Sequence, residues 1–164
     1  MQNKVCFIGH RYIITSNVYE KIKNAIKCVI DKGYRKFMVG CHGEFDKLAL
    51  SLCKSFRNEY EDIEIEVVLT SYHKIERKIL ATFKNEFGEI EEIVDINPYS
   101  DVKTLMYEIE ELYFKKQITE SNRKMIDECD TIICYVGSIK QRSGAKKALN
   151  YAKRKGLHII NCFD

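Results

Sequence analysis

A chain of 164 residues with 45% hydrophobic side chains can bury one core and is too short for two comfortable ones, so a single domain over residues 1–164 is expected. Its 27 basic and 24 acidic side chains leave a formal charge of +3, too balanced to indicate a nucleic-acid or membrane-surface partner by itself. Seven scattered cysteines and a start that reads as a strand rather than a leader fit free thiols in a reducing compartment, the cytoplasm, and no apolar run nears the roughly 18 residues that span a bilayer.

Residues 4–9 form an apolar run, Val5-Cys6-Phe7-Ile8, that stops on Gly9 with His10 and Arg11 beyond it, where an opening strand would deliver its ligand-facing turn. Val18, Ile22, Ile26, Val29 and Ile30 then recur at helical spacing. Lys32-Gly33 closes that helix, glycine being a favoured exit residue. Residues 36–40 read as a second strand, and Cys41-His42-Gly43-Glu44 leads into a helix whose face is Phe45, Leu48, Ala49, Leu52, Cys53 and Phe56. Residues 63–69, where Ile and Val alternate with Glu64 and Glu66, read as a third strand partly exposed near a sheet edge.

A helix is expected over 72–87 and a short fourth strand over 90–96, with Asn97-Pro98-Tyr99-Ser100 ending it in a turn. Val102, Leu105, Met106, Ile109, Leu112 and Tyr113 are spaced as an amphipathic helix, the expected surface of a homodimer. A further helix from about Ser121 carries Asn122, Arg123 and Met125 to Asp127. A strand over 131–136 ends at Gly137, and a loop to Gly144 opens a helix with Ala145, Ala148, Leu149 and Ala152 on one face. Residues 157–162 form the last strand. This alternation implies an α/β, Rossmann-like, doubly wound, mainly parallel sheet of about five to six strands with helices on both faces. Ligands of such sheets sit outside the carboxyl ends of the strands, which selects Gly9 to Arg11, Gly40 to Asp46 and Gly137 to Gly144.

Gly9-His10-Arg11, Gly40-x-x-Gly43-x-x-Asp46, Asn122-Arg123-x-Met125-Ile126-Asp127, and a Ser143-Gly144 turn leading to Ala148 and Tyr151-Ala152-Lys153 together resemble the SLOG superfamily. More narrowly they resemble its bacterial branch of short single-domain proteins of unknown function, and the similarity runs in order along nearly the whole chain. The superfamily takes its name from the DNA-processing A (Smf) proteins and the Lonely Guy phosphoribohydrolases. The resemblance implies a Rossmann-like fold that holds a nucleotide or nucleotide derivative, as an enzyme in some branches and a sensor in others. Lonely Guy enzymes carry a Pro-Gly-Gly-x-Gly-Thr-x-x-Glu loop whose glutamate works with an arginine in cleaving the N-glycosidic bond. Here the stretch reads Gln141-Arg142-Ser143-Gly144-Ala145-Lys146-Lys147-Ala148, without a glutamate, so the resemblance implies binding more than cleavage by that route.

The residues argue in the same direction. Gly43 and Gly144 each open a helix, where unpaired N–H groups and the positive dipole end favour an anion; the alternative is an ordinary strand-to-helix turn. Arg11 could clamp a phosphate bidentately or form a surface ion pair. Arg123, beside Asn122, could face the same cleft or be a solvated helix residue. Asp46 could orient a ribose hydroxyl, act as acid or base, or complement the dipole of its helix, and Glu44 is a weaker candidate of the same kind. The expected ligand-binding set is Gly9, His10, Arg11, Gly40, Gly43, Asp46, Asn122, Arg123, Gly137, Ser143 and Gly144, with Asp46, Glu44 and Arg123 as catalytic candidates.

His10, Cys41 and His42 offer zinc-like donors but match no closed structural spacing, so no metal site is expected. A nucleophilic Cys41 at a helix start would have a lowered pKa. Cys6, Cys28, Cys53, Cys129 and Cys134 are expected in the core, and Tyr12, Tyr72 and Tyr135 are candidates for stacking a base. Three functions follow. One is a sensor or regulatory module for a NAD-, ADP-ribose- or AMP-like small molecule, and a second is a hydrolase of a nucleotide's glycosidic or phosphate bond. The third is a DNA-associated protein using Lys146, Lys147, Lys153, Arg154 and Lys155. Without interleaved aromatics that basic face reads first as solvated, so nucleic acid is not the expected partner.

Overall fold

Apolar runs pair with one another across the middle of the molecule, and helical stripes cover both sides of the sheet they make. The computed structural model describes residues 3–70, 79–94, 99–107, 112, 114–137 and 143–163, with 79, 80, 93, 94 and 114 described by backbone alone. In chain order the elements are β1 (Lys4–Gly9), α1 (Val18–Asp31), β2 (Lys36–Val39), α2 (Glu44–Glu59), β3 (Glu64–Leu69) and β4 (Ile79–Lys84). They continue as β5 (Ile90–Val94), β6 (Lys103–Met106), α3 (Phe114–Asp127), β7 (Thr131–Tyr135), α4 (Gly144–Lys155) and β8 (His158–Asn161).

Six strands form one sheet in the order β6-β3-β2-β1-β7-β8, and every neighbouring pair is parallel. Period-two alternation sends successive side chains of each strand to opposite faces. Val5 and Phe7 of β1, Phe37 and Val39 of β2, and Ile133 and Tyr135 of β7 meet α1 and α2. Cys6, Ile8, Met38, Ile132 and Cys134 meet α3 and α4 on the other side. The fold is therefore a Rossmann-like doubly wound sandwich, as expected. The chain winds outward from β1 to β6, then returns through α3 to β7 on the other side of β1. The winding reverses between β1 and β7, the place where such sheets open a crevice at their carboxyl edge.

Two of the helices end on a glycine. Gly33 (φ +97°) follows α1 and Gly156 (φ +78°) caps α4, both in the left-handed region that glycine adopts without a steric penalty. The apolar stripe of α1, Val18, Ile22, Ala25, Ile26, Val29 and Ile30, is entirely buried.

Several expectations are corrected. Within the segment expected to be a helix over 72–87, residues 79–84 are β4, which pairs antiparallel with β5 in a separate two-stranded sheet; residues 71–78 lie outside the described residues. The turn between them explains the change: the Asn85 side-chain oxygen accepts from Phe87 N (2.9 Å) and Glu89 N (2.9 Å), and Gly88 takes φ +77°. The strand expected over 90–96 exists as β5 but belongs to this hairpin and not to the main sheet, and its ending turn is described only at Tyr99 and Ser100.

The helix expected from Val102 to Tyr113 is replaced at Lys103–Met106 by β6, so the helical dimer surface is absent among the described residues there. Leu105 and Tyr107, two apart, pack together on the α3–α4 face, while Val102 packs on the other face, which is strand parity. Because β6 lies outside β3, β3 is an inner strand. Helix α3 begins at Phe114, well ahead of the expected start near Ser121. Of the cysteines expected in the core, Cys28 is exposed on α1 and the other four are buried.

Two glycines separate packing from ligand access. A Cβ on Gly9 would lie 2.5 Å from the ring of Phe45, a fully buried residue of α2, whereas a Cβ on Gly144 would meet nothing within 4 Å. Gly9→Ala should lower stability by about 1–3 kcal/mol through overpacking and Gly144→Ala should leave it within about 0.5 kcal/mol, as read from urea denaturation midpoints. Equal effects of the two substitutions would refute this assignment.

Candidate functional site

The turn that leaves β1 is fixed from three sides. His10 N donates to Tyr135 O (3.0 Å), and His10 Nε2 accepts from Gly137 N (3.0 Å), which ties the exits of β1 and β7 together. A ring nitrogen that accepts must be unprotonated, so His10 is neutral with its proton on Nδ1. Burial lowers its pKa and favours the same state.

Tyr135 supplies the second anchor. Its hydroxyl oxygen accepts from Ile14 N and Thr15 N, both at 3.0 Å, and its proton is left for Thr15 Oγ1 at 2.9 Å. The ring is fully buried between His10, Phe45 and Phe163, so Tyr135 does not stack a base; Tyr12 is exposed, and Tyr72 lies outside the described residues. Gly137 lacks a Cβ because the Phe163 ring would stand 2.4 Å from one.

The third anchor is the start of α2. Glu44 N donates to Arg11 O (2.8 Å), and Glu44 Oε2 accepts from Ile13 N (2.8 Å). A Cβ on Gly43 would come within 2.6 Å of Arg11 Cα, so glycine is required there for backbone contact with Arg11. Asp46 turns back to accept from His42 N (2.9 Å) and from Gly43 N. Two of the N-terminal donors of α2, those of Gly43 and Glu44, are thus occupied by protein groups.

A cavity of about 500 Å³ opens beside these anchors, outside the carboxyl ends of β1 and β2, against the first turns of α3 and α4. Of the expected ligand residues, Gly9, Arg11, Gly40, Asp46, Asn122, Ser143 and Gly144 all line it. His10, Gly43 and Gly137 are not among its lining residues and instead fix the turns that carry them. Arg123 faces a small adjoining crevice, pairs with Glu120 (3.4 Å) and lies over the Tyr151 ring. Glu44 is exposed and turned to Ile13 N.

Sequence reasoning missed Lys115, Thr119 and Lys147, which also line the cavity. The first two belong to the part of α3 that precedes its expected start. Lys147 stands one helical turn from Gly144 on a helix read as a solvated basic face.

Arg11, Lys115 and Lys147 come from the turn after β1, from α3 and from α4, and none forms a salt bridge among the described residues. The N-terminus of α4 faces the same space. Ser143 caps it by accepting from Lys146 N (3.0 Å), while the N–H groups of Gly144 and Ala145 meet no acceptor among the described residues. Three cations and two open backbone donors give this surface the chemistry that suits an anion. Asp46 is the one carboxylate among the lining residues, 9% exposed, and burial raises its pKa to about 6.

Cys41 has the opposite character from an activated thiol. Burial pushes it up to about 12, so it stays protonated, 3.9 Å from His42 Nε2. No group of three His, Cys, Asp or Glu side chains among the described residues could hold a metal. The basic face of α4 is partly engaged with α3: Lys155 pairs with Asp127 (3.5 Å), which also accepts from the Tyr151 hydroxyl (2.7 Å).

A raised carboxyl pKa means that, between about pH 4 and 6, the folded chain holds a proton that the unfolded chain has lost. Stability therefore falls as pH rises through that window and levels off above it. Asp46→Asn cannot ionise, so its stability relative to the native protein should rise by roughly 2–3 kcal/mol between pH 4 and pH 7 in urea denaturation. Parallel pH profiles would show that burial does not set this group's titration. Tyr135→Phe, which removes the acceptor for Ile14 and Thr15, should cost about 1–3 kcal/mol and speed amide exchange at both N–H groups. No protein-family model and no curated protein matches this sequence.

Proposed function

We propose that this protein binds a nucleotide or nucleotide derivative, with the phosphate at the Gly144 turn, and acts as a sensor or regulatory module. The observation that carries the reading is the convergence of Arg11, Lys115, Lys147 and the open donors of α4 on one cavity at the reversal of the strand order. A fully hydrated anion would need no such enclosure, whereas a phosphate attached to a larger body uses both the charge and the volume. Thr119 and Asn122 supply neutral polar groups suited to ribose hydroxyls. AMP-, ADP-ribose- and NAD-like molecules fit this description. The sequence motifs that resemble the SLOG superfamily favour the same ligand class. Seven free thiols favour the cytoplasm as the setting, and no helix among the described residues is long and apolar enough to cross a membrane.

A hydrolase acting on the glycosidic or phosphate bond is the second reading. It is favoured by Asp46, a carboxyl group on the cavity wall with a pKa near the range where acid–base catalysis works. Release of free base or inorganic phosphate from a bound nucleotide, seen by chromatography, would select it over the sensor.

The test is calorimetric titration with AMP, ADP-ribose and NAD. At least one should bind, and Arg11→Ala, Lys115→Ala and Lys147→Ala should each weaken that ligand about ten-fold or more without lowering the thermal midpoint of the free protein. Affinity should also fall with added salt. Absence of binding by all three, or affinities unmoved by the three substitutions, would overturn the proposal.

A further inference from the structure

A second cavity of about 350 Å³ lies next to the first and shares two of its lining residues, Gly40 and Asp46. Its character differs. Cys41, Leu50 and Tyr99 give it an apolar interior, and Lys54, on its wall, is engaged with Asp101 at 2.8 Å. Cys41 keeps its proton and adds no charge. One compartment therefore suits an anion, and its neighbour suits a flat apolar group.

The junction is built from the two shared residues. Asp46 accepts from His42 N and Gly43 N, yet a carboxylate has about four acceptor positions, so it can also accept from a ligand hydroxyl. A Cβ on Gly40 would stand 2.9 Å from Asp46 Oδ2, so a larger residue there would displace the carboxylate from between the compartments. We infer that the two cavities are halves of one site for a nucleoside phosphate. The phosphate lies among Arg11, Lys115 and Lys147, a ribose hydroxyl donates to Asp46, and the base enters the second cavity against Tyr99.

This inference rests on the nucleotide reading and adds where the base is held. An aromatic face is a sequence-tolerant platform for a base and contributes on the order of ten-fold or more in affinity. The arrangement also predicts an order of preference: a nucleotide should bind more tightly than its sugar phosphate, because the sugar phosphate leaves the apolar compartment empty.

The experiment compares AMP with ribose 5-phosphate by calorimetry on the native protein, Ser51→Phe, Tyr99→Ala and Arg11→Ala. Ser51 is an exposed residue of α2 on the wall of the second cavity, so a phenylalanine there fills the compartment without disturbing the core. The native protein should bind AMP about ten-fold or more tightly than ribose 5-phosphate. Ser51→Phe and Tyr99→Ala should remove that advantage and leave ribose 5-phosphate unchanged, whereas Arg11→Ala should weaken both ligands.

Should Tyr99→Ala unfold, Ser51→Phe alone decides the matter. AMP binding that survives both substitutions, or equal native affinities for AMP and ribose 5-phosphate, would overturn the base site and leave the phosphate reading standing. Failure of both ligands to bind the native protein would overturn the base site, and failure of ADP-ribose and NAD as well would overturn the nucleotide reading.

Discussion

The carboxyl edge of this sheet depends on one close approach, the backbone of Arg11 laid against Gly43. Any Cβ at Gly43 would collide with Arg11, and the contact is closed by the hydrogen bond from Glu44 N to Arg11 O. This places the turn after β1 on the first turn of α2 and engages the donors of Gly43 and Glu44 inside the protein. Asp46 completes the arrangement by folding back on His42 and Gly43. The helix start left facing the cavity is that of α4, where Ser143 satisfies Lys146 N and leaves the donors of Gly144 and Ala145 directed at open space. Two turns of similar sequence character are therefore put to different uses: one seats a loop, the other faces an open cavity.

That division also orders the charges. Three cations of separate segments stand around a concave wall with no carboxylate partner within ion-pair distance among the described residues. An anion placed there would meet positive charge from three sides and could accept from the α4 backbone. The one acid on the wall, Asp46, is buried enough to keep its proton into the mildly acidic range, so the pocket gains negative charge only as pH approaches neutrality. His10 and Tyr135, which look like ligand residues by position, act instead as fasteners between β1, β7 and the loop they hold. His10 Nε2 and the Tyr135 hydroxyl are engaged inside the protein.

The parallel sheet, both helical layers and seven of the residues around the cavity were legible because they rest on local patterns: apolar runs of strand length, stripes at helical spacing, and glycines at strand ends. The misreadings have particular causes. Residues 79–84 and 103–106 are short segments whose apolar residues fall at spacings compatible with a helix, and what makes them strands is a partner remote or local in sequence. Lys103–Met106 pairs with Glu66–Leu69 across a long intervening stretch, and β4 is set by the Asn85–Gly88 turn that brings β5 back to it. Strand propensity depends on such neighbours more than helix propensity does. Lys115 escaped notice because the start of α3 carries no acidic first turn to mark it, and a lysine on a polar helix face looks the same in sequence whether it meets water or a ligand.

By itself the sequence determined the class of fold, the order of strands and helices outside residues 72–113, and the turns at which a ligand would be sought, since these follow from periodicity and from residues with unusual backbone freedom. Only the tertiary structure decided which of those turns are fasteners and which are open. Gly9 and Gly137 are small because Phe45 and Phe163 press on them, Gly43 because Arg11 does, and Gly144 alone of these four has space before it. A glycine's letter reports that a side chain is missing, and what occupies the resulting space is set by residues distant in the chain.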